Sequence, residues 1–209
     1  MQKLVVICGQ SGVGKTTVIE RVFEERGDLN VLNFGERILA MALSKGVART
    51  PEDVEKLRPE VLSRLQVETS KHIHELNGLV LLDMHLTVDT PIGMVAGMPR
   101  AVMENLQPSL IVLLEAKPYE ILKRRMIGKG ELDTAESVKD IQERTDIDRA
   151  AAISVAIALG IPIKILKSEN AEKTAETILK ILADTRASIA GIDTTPQDGS
   201  ERVPGTQPA

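Results

Sequence analysis

Short apolar runs alternate along the chain with segments in which apolar residues recur every three or four positions. The runs are apolar throughout, as is typical of strands covered on both faces, and the wider spacing is typical of amphipathic helices. Strands that alternate with helices predict an α/β fold with a five-stranded parallel sheet and helices on both faces. The predicted strands are 4–8, 29–34, 79–82, 110–114 and 162–166.

The pattern between the second and third predicted strands is entirely helical, over residues 36–77. Within it, Thr50 followed by Pro51 is typical of a helix cap with a proline at the first helical position. A single crossover helix needs far fewer residues than this. The segment therefore predicts a helical insertion at about 35–77 beside the sheet.

Two later segments interrupt the regular pattern. The connection 84–100 is rich in Thr, Pro and Gly and predicts a loop without regular structure, of a length that is commonly functional. The helix after Pro118 is expected to break at 128–130, which reads GKG, and to resume near Thr134. This interruption predicts a short lid at about 128–134.

The chain of 209 residues is long enough to bury a substantial core and is expected to form one domain at 1–185. Its last predicted helix is 170–184. Beyond it, few large apolar residues remain among Gly, Thr, Pro, Gln and Ser. The segment 186–209 is therefore expected to be a disordered tail.

Composition and charge exclude several classes of partner. A formal net charge of −4 with interspersed signs provides no basic field for general nucleic-acid binding. With no Trp, one Tyr and two Phe, aromatic platforms for single-strand stacking are too few. No run approaches a membrane-spanning length and no signal peptide precedes the first strand, so we expect no membrane partner and a cytoplasmic location. The one cysteine, Cys8, is expected to be a small core residue of the first strand.

The segment after the first strand reads GQSGVGKTT and contains the phosphate-loop (P-loop) pattern G-x-x-x-x-G-K-[ST]. Gly9, Gly12 and Gly14 supply the backbone freedom that close approach to a phosphate requires. The following helix adds the positive end of its dipole. Lys15 is expected to reach the β- and γ-phosphates of ATP, and the Thr16 hydroxyl to ligate Mg²⁺. The predicted ATP-binding residues are Gly9, Gln10, Ser11, Gly12, Val13, Gly14, Lys15, Thr16 and Thr17.

Asp83 ends the third predicted strand. In a P-loop protein, an acid at the end of a strand beside the loop is the usual second partner of Mg²⁺, and an ordinary turn aspartate is the alternative. The carboxyl ends of parallel strands meet at one edge of a sheet, where ligands bind. We therefore expect the P-loop, residues 33–35, residues 83–87 and the start of the helix after the fourth strand to face one cleft.

Further segments of the chain carry a resemblance to a known family. They are GQSGVGKTT at 9–17, NFG at 33–35, LRPEVLSRLQ at 57–66, LLDMHLTVDTPIGMVAGMP at 81–99, RRM at 124–126 and DRAAAISVA at 148–156. With them, the chain resembles archaeal-type adenylate kinases to about Asp184. The P-loop alone is generic, but its combination with D-x-H-x-T, G-x-P and RAAA is specific. The resemblance implies phosphoryl transfer from Mg²⁺-bound ATP to AMP on a P-loop core with an AMP-binding lobe and a small lid. The family is also typically trimeric, so a homotrimer is an expected partner state.

The resemblance and the expected cleft also imply roles for single residues. Catalysis of phosphoryl transfer is expected to depend on positioning and on cations rather than on a nucleophilic side chain. The alternative for each arginine is a solvated surface position, and for the histidine a backbone hydrogen bond. The predicted catalytic residues are Lys15, Arg125 and Arg149, the predicted metal ligands are Thr16 and Asp83, and the predicted AMP-binding residues are Asn33, Phe34, Gly35, Arg64, His85 and Arg100.

The predicted lid departs from the family pattern. Family lids usually carry two arginines as R-x-R-D, whereas this chain has GKGELDT with Lys129 as its cation. An arginine supplied to a phosphoryl-transfer site can be worth ~10³–10⁵ in rate. Arg124, Arg125, Arg144 and Arg149 flank the lid, and we expect a role for Arg125 and Arg149, which lie in matched motifs. Two other functions stay open: a kinase for another nucleoside monophosphate or small alcohol, and a P-loop ATPase or nucleotide-binding regulator.

Overall fold

The computed structural model describes residues 3–90, 93–129 and 136–190. The strands are β1 (Lys3–Cys8), β2 (Asn30–Asn33), β3 (Leu79–Met84), β4 (Thr87–Thr90), β5 (Gly93–Ala96), β6 (Leu110–Glu115) and β7 (Ile163–Lys167). The helices are α1 (Lys15–Glu25), α2 (Phe34–Ser44), α3 (Pro51–Glu55), α4 (Pro59–His74), α5 (Arg100–Leu106), α6 (Pro118–Lys129), α7 (Val138–Leu159) and α8 (Ala171–Ala190).

Five strands form one parallel sheet in the order β2-β3-β1-β6-β7. β1 is central, and its residue Ile7 lies opposite Asp83 of β3 and Val112 of β6. The predicted five-stranded parallel sheet is therefore confirmed. Its register brings the carboxyl ends of β1 and β3, and with them the P-loop and Asp83, to the same edge.

Both faces of the sheet are covered, as the apolar strands predicted. Leu4 and Val6 of β1 pack into a cluster with α2, α4, α5 and α7, whereas Val5 and Ile7 pack into a second cluster with α1 and α8. Successive side chains of a strand point to opposite faces, so a strand covered on both sides must be apolar at every position. Cys8 is fully buried, as expected of a core residue, and burial raises the pKa of its thiol far above the ordinary value.

Three helices, α2, α3 and α4, occupy the stretch between β2 and β3. Thr50 caps α3 by accepting a hydrogen bond from the Asp53 N–H at 3.3 Å, with Pro51 at the first helical position, as predicted. Phe34 begins α2, so the prediction that it ends the second strand is wrong. The reason is a local cap: the Asn33 side chain accepts from the N–H of Glu36 and starts the helix at Phe34, two residues before its predicted start at 36.

The connection 84–100 contains an antiparallel hairpin, and the prediction of a loop without regular structure is wrong. β4 and β5 pair with Thr87 opposite Ala96. Just beyond the hairpin, the N–H of Gly97 donates to the carbonyl of Leu86 at 2.8 Å. The two strands have four residues each. In a strand of four residues, the alternation of apolar and polar positions is too short to be recognised in the sequence.

The helices around the predicted lid have different ends from those expected. α6 includes Gly128 and Lys129, so the predicted break at these two residues is wrong. α7 begins at Val138 rather than near Thr134. A capping box sets that start, because Ser137 accepts from the Asp140 N–H at 3.2 Å while the Asp140 carboxylate accepts from the Ser137 N–H at 2.7 Å.

The remainder of the predicted lid, residues 130–134, lies outside the described residues, as does most of the predicted tail at 186–209. The last helix, α8, continues to Ala190, six residues past its predicted end at Asp184. Among the helices that the structure describes, none combines the length and the apolar character that crossing a membrane requires.

Candidate active site

The loop between β1 and α1 has the backbone that its glycines predicted. Gly9, Gly12 and Gly14 all take positive φ, at 146°, 83° and 98°. Gly9 is the most constrained position, because a Cβ there would lie 2.4 Å from the carbonyl oxygen of Leu114 on β6. Only a residue without a side chain allows the loop to leave β1 so close to its neighbouring strand.

Lys15 is the first residue of α1, and its side chain is buried. Its Nζ donates to the carbonyl oxygen of Gly9 at 2.8 Å. Burial lowers the pKa of the ammonium, and the nearby charge of Asp83 opposes that effect. The structure therefore holds a desolvated cation against the P-loop, where an anionic ligand would stabilise it.

The amino-terminal end of α1 is left open to a ligand. Its N-cap is Gly14, and within the described chain no side chain caps the helix. Thr16 and Thr17, in the first turn, are exposed. Uncapped N–H groups and the positive end of a helix dipole together favour a bound anion such as phosphate.

Asp83 lies at the end of β3 with one of its two carboxylate oxygens paired. Oδ2 accepts a hydrogen bond from Asn33 Nδ2 at 3.1 Å, whereas Oδ1 is buried and lacks a hydrogen-bond partner among the described residues. Burial raises the pKa of this carboxyl, and the positive charge of Lys15 opposes the shift. A buried carboxylate oxygen without a donor is chemically suited to a hard cation such as Mg²⁺. The donor set, with the Thr16 hydroxyl at the start of α1, therefore fits the predicted metal.

A cavity of about 320 Å³ lies beside the P-loop. Residues 9–11 of the P-loop and residues 85–88 after β3 both line it, and residues from the region of α6 and α7 complete the wall. His85 is part of this wall. Partial desolvation, together with the charge of Lys15, lowers the pKa of the imidazole, so His85 is neutral at pH 7.

Two arginines of α6 contact the carbonyl groups of the P-loop. Arg124 donates to the carbonyl of Val13 at 2.9 Å. Arg125 donates to the carbonyl of Ser11 at 2.8 and 3.0 Å and is ion-paired with Glu136. Arg125 also lines the cavity, so the structure places this predicted catalytic residue beside the P-loop.

Arg149 is not brought to the cavity. It donates two hydrogen bonds, at 2.7 and 2.6 Å, to the carboxylate of Glu115, which also accepts from Lys167 at 2.7 Å. Burial is the largest single influence on the pKa of Glu115, and it raises that pKa. The hydrogen bonds and charges of Arg149 and Lys167 together outweigh burial and hold the pKa of the carboxyl below the ordinary value. In this structure, Arg149 stabilises a buried acid at the end of β6.

Most of the predicted AMP-binding residues lie away from this cavity. His85 lines it, but Arg64 is exposed on α4 and Arg100 is exposed at the start of α5, where it pairs with Glu104 at 2.6 Å. Phe34 is buried in the core.

Asn33 and Gly35 lie at the junction between β2 and α2. The Asn33 side chain links two functions there, since it caps α2 and donates to Asp83. Gly35 is exposed, and a Cβ on it would lie 3.3 Å from Asn33 Oδ1. Asn33 thus contributes to the site by orienting the predicted metal ligand.

Sequence reasoning missed Thr145, Asp148 and the contacts that join them to the cavity region. Gln10 donates to the carbonyl of Ile141 at 3.0 Å and to the hydroxyl of Thr145, which ties the P-loop to α7. Thr87 Oγ1 donates to Asp148 at 2.7 Å, which ties the hairpin to the same helix. The four-residue spacing of Arg144 and Asp148 was the available signal, because residues so spaced share a helix face.

Comparisons with known proteins agree with this geometry. A family model described as an AAA domain matches residues 8–142. The adenylate kinase of Methanothermobacter thermautotrophicus is 37% identical over 170 residues, which cover 80% of this chain and 91% of that protein. The adenylate kinase of Methanocaldococcus jannaschii is 34% identical over 188 residues, which cover 86% of this chain and 98% of that protein.

Among solved structures, a shikimate kinase from Acinetobacter baumannii in complex with shikimate matches with a TM-score of 0.58. The match covers 89% of this chain and 96% of the other, at 17% sequence identity, and shows the fold alone. The identity to the archaeal proteins is higher and extends over nearly their whole length. The chain therefore belongs to the adenylate kinase family.

Proposed function

We propose that this protein is an adenylate kinase that transfers the γ-phosphoryl group of ATP reversibly to AMP, with Mg²⁺, giving two ADP. The observation that carries the proposal is the cavity between the P-loop and residues 85–88, in a chain 37% identical to a named adenylate kinase. A cavity with a phosphate loop on one wall has room for an acceptor on the other. Phosphoryl transfer needs these two groups held close and in line.

The P-loop residues 9–17 form the ATP side of the proposed site. The uncapped start of α1 offers N–H groups to the phosphates. Lys15 exchanges its present hydrogen bond with the Gly9 carbonyl for phosphate oxygens. The phosphate charge offsets the desolvation penalty of the ammonium, and we expect ATP binding to be favoured accordingly.

Thr16 and Asp83 are the residues that would hold Mg²⁺. The unpartnered Oδ1 of Asp83 supports this assignment, and Asn33 fixes the orientation of the carboxylate through Oδ2. When bound, the ion supplies positive charge that neutralises the phosphates during transfer.

The remaining positive charge comes from arginines. Arg125 lies in the cavity wall and is held by Ser11 and Glu136, which fixes its guanidinium beside the P-loop. We assign it the role of stabilising negative charge on the transferred group. The prediction that Arg149 is catalytic requires it to leave Glu115, to which it donates two short hydrogen bonds.

The acceptor side consists of His85 and the neighbouring residues up to Val88, with the helical insertion α2–α4 as the proposed AMP lobe. Contacts of Arg64 and Arg100 with AMP stay predictions, because both arginines are exposed outside the cavity. A homotrimer and a cytoplasmic location likewise stay predictions.

The test is a coupled assay of ADP formation with ATP, Mg²⁺ and a panel of AMP, CMP, UMP and GMP. ADP formation with AMP, at rates well above those with the other acceptors, is the expected result. Preference for CMP or UMP would instead indicate a kinase for another nucleoside monophosphate. ATP hydrolysis that AMP does not affect would reject the transferase and favour a P-loop ATPase.

A further inference from the structure

The helix α7 carries two arginines that lie on different sides. Arg144 and Arg149 are five positions apart, which places them about 140° apart around a helix of about 3.6 residues per turn. Arg149 contacts Glu115 at the end of β6, whereas Arg144 lines the cavity beside the P-loop. The arginine of α7 that belongs to the site is thus Arg144, which lies outside the sequence motifs matched to the family.

Arg144 is held at the cavity wall by the hairpin and by its own helix. Its Nη2 donates to the carbonyl of Thr87 at 3.4 Å, and its Nε lies 3.8 Å from Asp148 Oδ1. Asp148 is itself fixed, since it is buried and accepts a hydrogen bond from Thr87 Oγ1 at 2.7 Å. Thr87 and Asp148 therefore form a linked pair that sets where the guanidinium lies.

The sequence of the predicted lid explains why a cation is needed from elsewhere. Residues 128–134 contain one basic residue, Lys129, and two acidic residues, Glu131 and Asp133. Phosphoryl transfer has a negatively charged transition state, which cations stabilise. A second arginine in the cavity wall, besides Arg125, offsets that charge.

We propose that Arg144 is a catalytic residue that contacts the phosphate being transferred, and that Asp148 and Thr87 are its positioning residues; this inference rests on the proposed function. In the reaction an oxygen of the AMP phosphate forms a bond to the γ-phosphorus of ATP, and the bond from that phosphorus to the β,γ-bridging oxygen breaks, releasing ADP. Arg144 keeps its protons throughout and acts through its charge and its hydrogen bonds to phosphate oxygens.

The test compares Arg144→Gln and Arg144→Ala with the wild type and with Arg21→Ala, an exposed arginine of α1. Each is measured for kcat and KM with ATP and AMP, for the dissociation constant of ATP and for the thermal midpoint. We expect kcat of the Arg144 variants to fall by about 10²-fold or more with a small change in KM, because a preformed charge acts chiefly on the transition state. Arg21→Ala is expected to match the wild type.

Added guanidinium ion distinguishes lost chemistry from altered structure. It is expected to restore part of the activity of Arg144→Ala and none of that lost in Lys15→Ala. If Arg144→Ala does not fold, the kcat of Arg144→Gln is used to test the inference. A folded Arg144 variant whose kcat falls by less than about tenfold overturns the inference, since cationic groups at such sites are worth more than that. A wild type without ADP formation would instead reject the proposed function.

Asp148 is tested by a double-mutant cycle. Asp148→Asn keeps an acceptor for Thr87 but removes the charge that faces Arg144, and we expect a lower kcat without a fall in the thermal midpoint. If Asp148 acts through Arg144, the double variant of Asp148→Asn and Arg144→Gln is no slower than Arg144→Gln alone. Losses that multiply in the double variant would show that Asp148 has a separate role and overturn its assignment as a positioning residue.

Discussion

Replacing Asp83 by asparagine should stabilise the ligand-free protein and abolish its activity. The carboxylate Oδ1 of Asp83 is buried without a donor, and burial raises the pKa of the group. The folded protein therefore holds the Asp83 proton more tightly than the unfolded chain does. At pH values above the folded pKa, the ionised carboxylate lowers the free energy of unfolding, and this penalty fades as the pH falls through that pKa.

The size of the effect follows from the contacts of Asp83. In Asp83→Asn the amide oxygen can still accept from Asn33 Nδ2, so the existing hydrogen bond is kept. The change removes a buried charge with one unpartnered oxygen and leaves an amide group whose desolvation costs less. We expect the free energy of unfolding to rise by about 1 kcal/mol, which raises the thermal midpoint by about 2–4 °C for a chain of this length.

The activity of Asp83→Asn should fall, although its stability rises. Asp83 is the proposed protein carboxylate for Mg²⁺, and loss of even an outer partner of a metal site costs about 10–100-fold. Thermal midpoints are measured with EDTA and without nucleotide, and ADP formation is measured across a magnesium titration. Asp146→Asn, which changes an exposed acid of α7, is the control and is expected to alter neither quantity. A variant at Asp83 that is less stable and retains near-normal activity would refute the reasoning.

Three further predictions use the same preparation. Lys15→Ala should lower kcat by about 10³-fold or more while keeping the fold; a circular dichroism spectrum unlike that of the wild type, or retained turnover, would contradict this. Gly9→Ala should lower the free energy of unfolding by more than about 2 kcal/mol, as measured in urea, because its Cβ would lie 2.4 Å from the carbonyl oxygen of Leu114 and Gly9 has positive φ. Glu115→Gln should lower the free energy of unfolding by about 2 kcal/mol at pH 7. The loss is smaller than for a fully buried ion pair, because solvent screens the partly exposed partner Arg149. The lowered pKa of Glu115 means that this stabilisation is present above its unfolded pKa and is lost as the pH falls through the folded pKa, so urea titrations of wild type and variant should converge in acid.

The sequence by itself determined the layers of the fold and the backbone geometry of the P-loop. Strands such as β1 must be apolar at every position to be covered on both faces, so an uninterrupted apolar run directly indicates a strand buried on both sides. The P-loop is equally local, because its glycines and Lys15 act within one turn of chain between β1 and α1. The position of Asp83 near the carboxyl end of β3 was predictable for the same reason, since it follows the apolar run 79–82.

Only the tertiary structure decided which polar side chains of the later helices meet that loop. α7 contains a long run of small and apolar residues from Ala150 to Leu159 and packs on both core clusters, so its sequence pattern does not show which face turns to the cavity. The contacts that place Arg144 join distant parts of the chain: Thr87 meets Asp148 across 61 positions, and Gln10 meets α7 across more than 130. Such contacts depend on how the hairpin and α7 pack around the P-loop, and local periodicity carries no information about that packing.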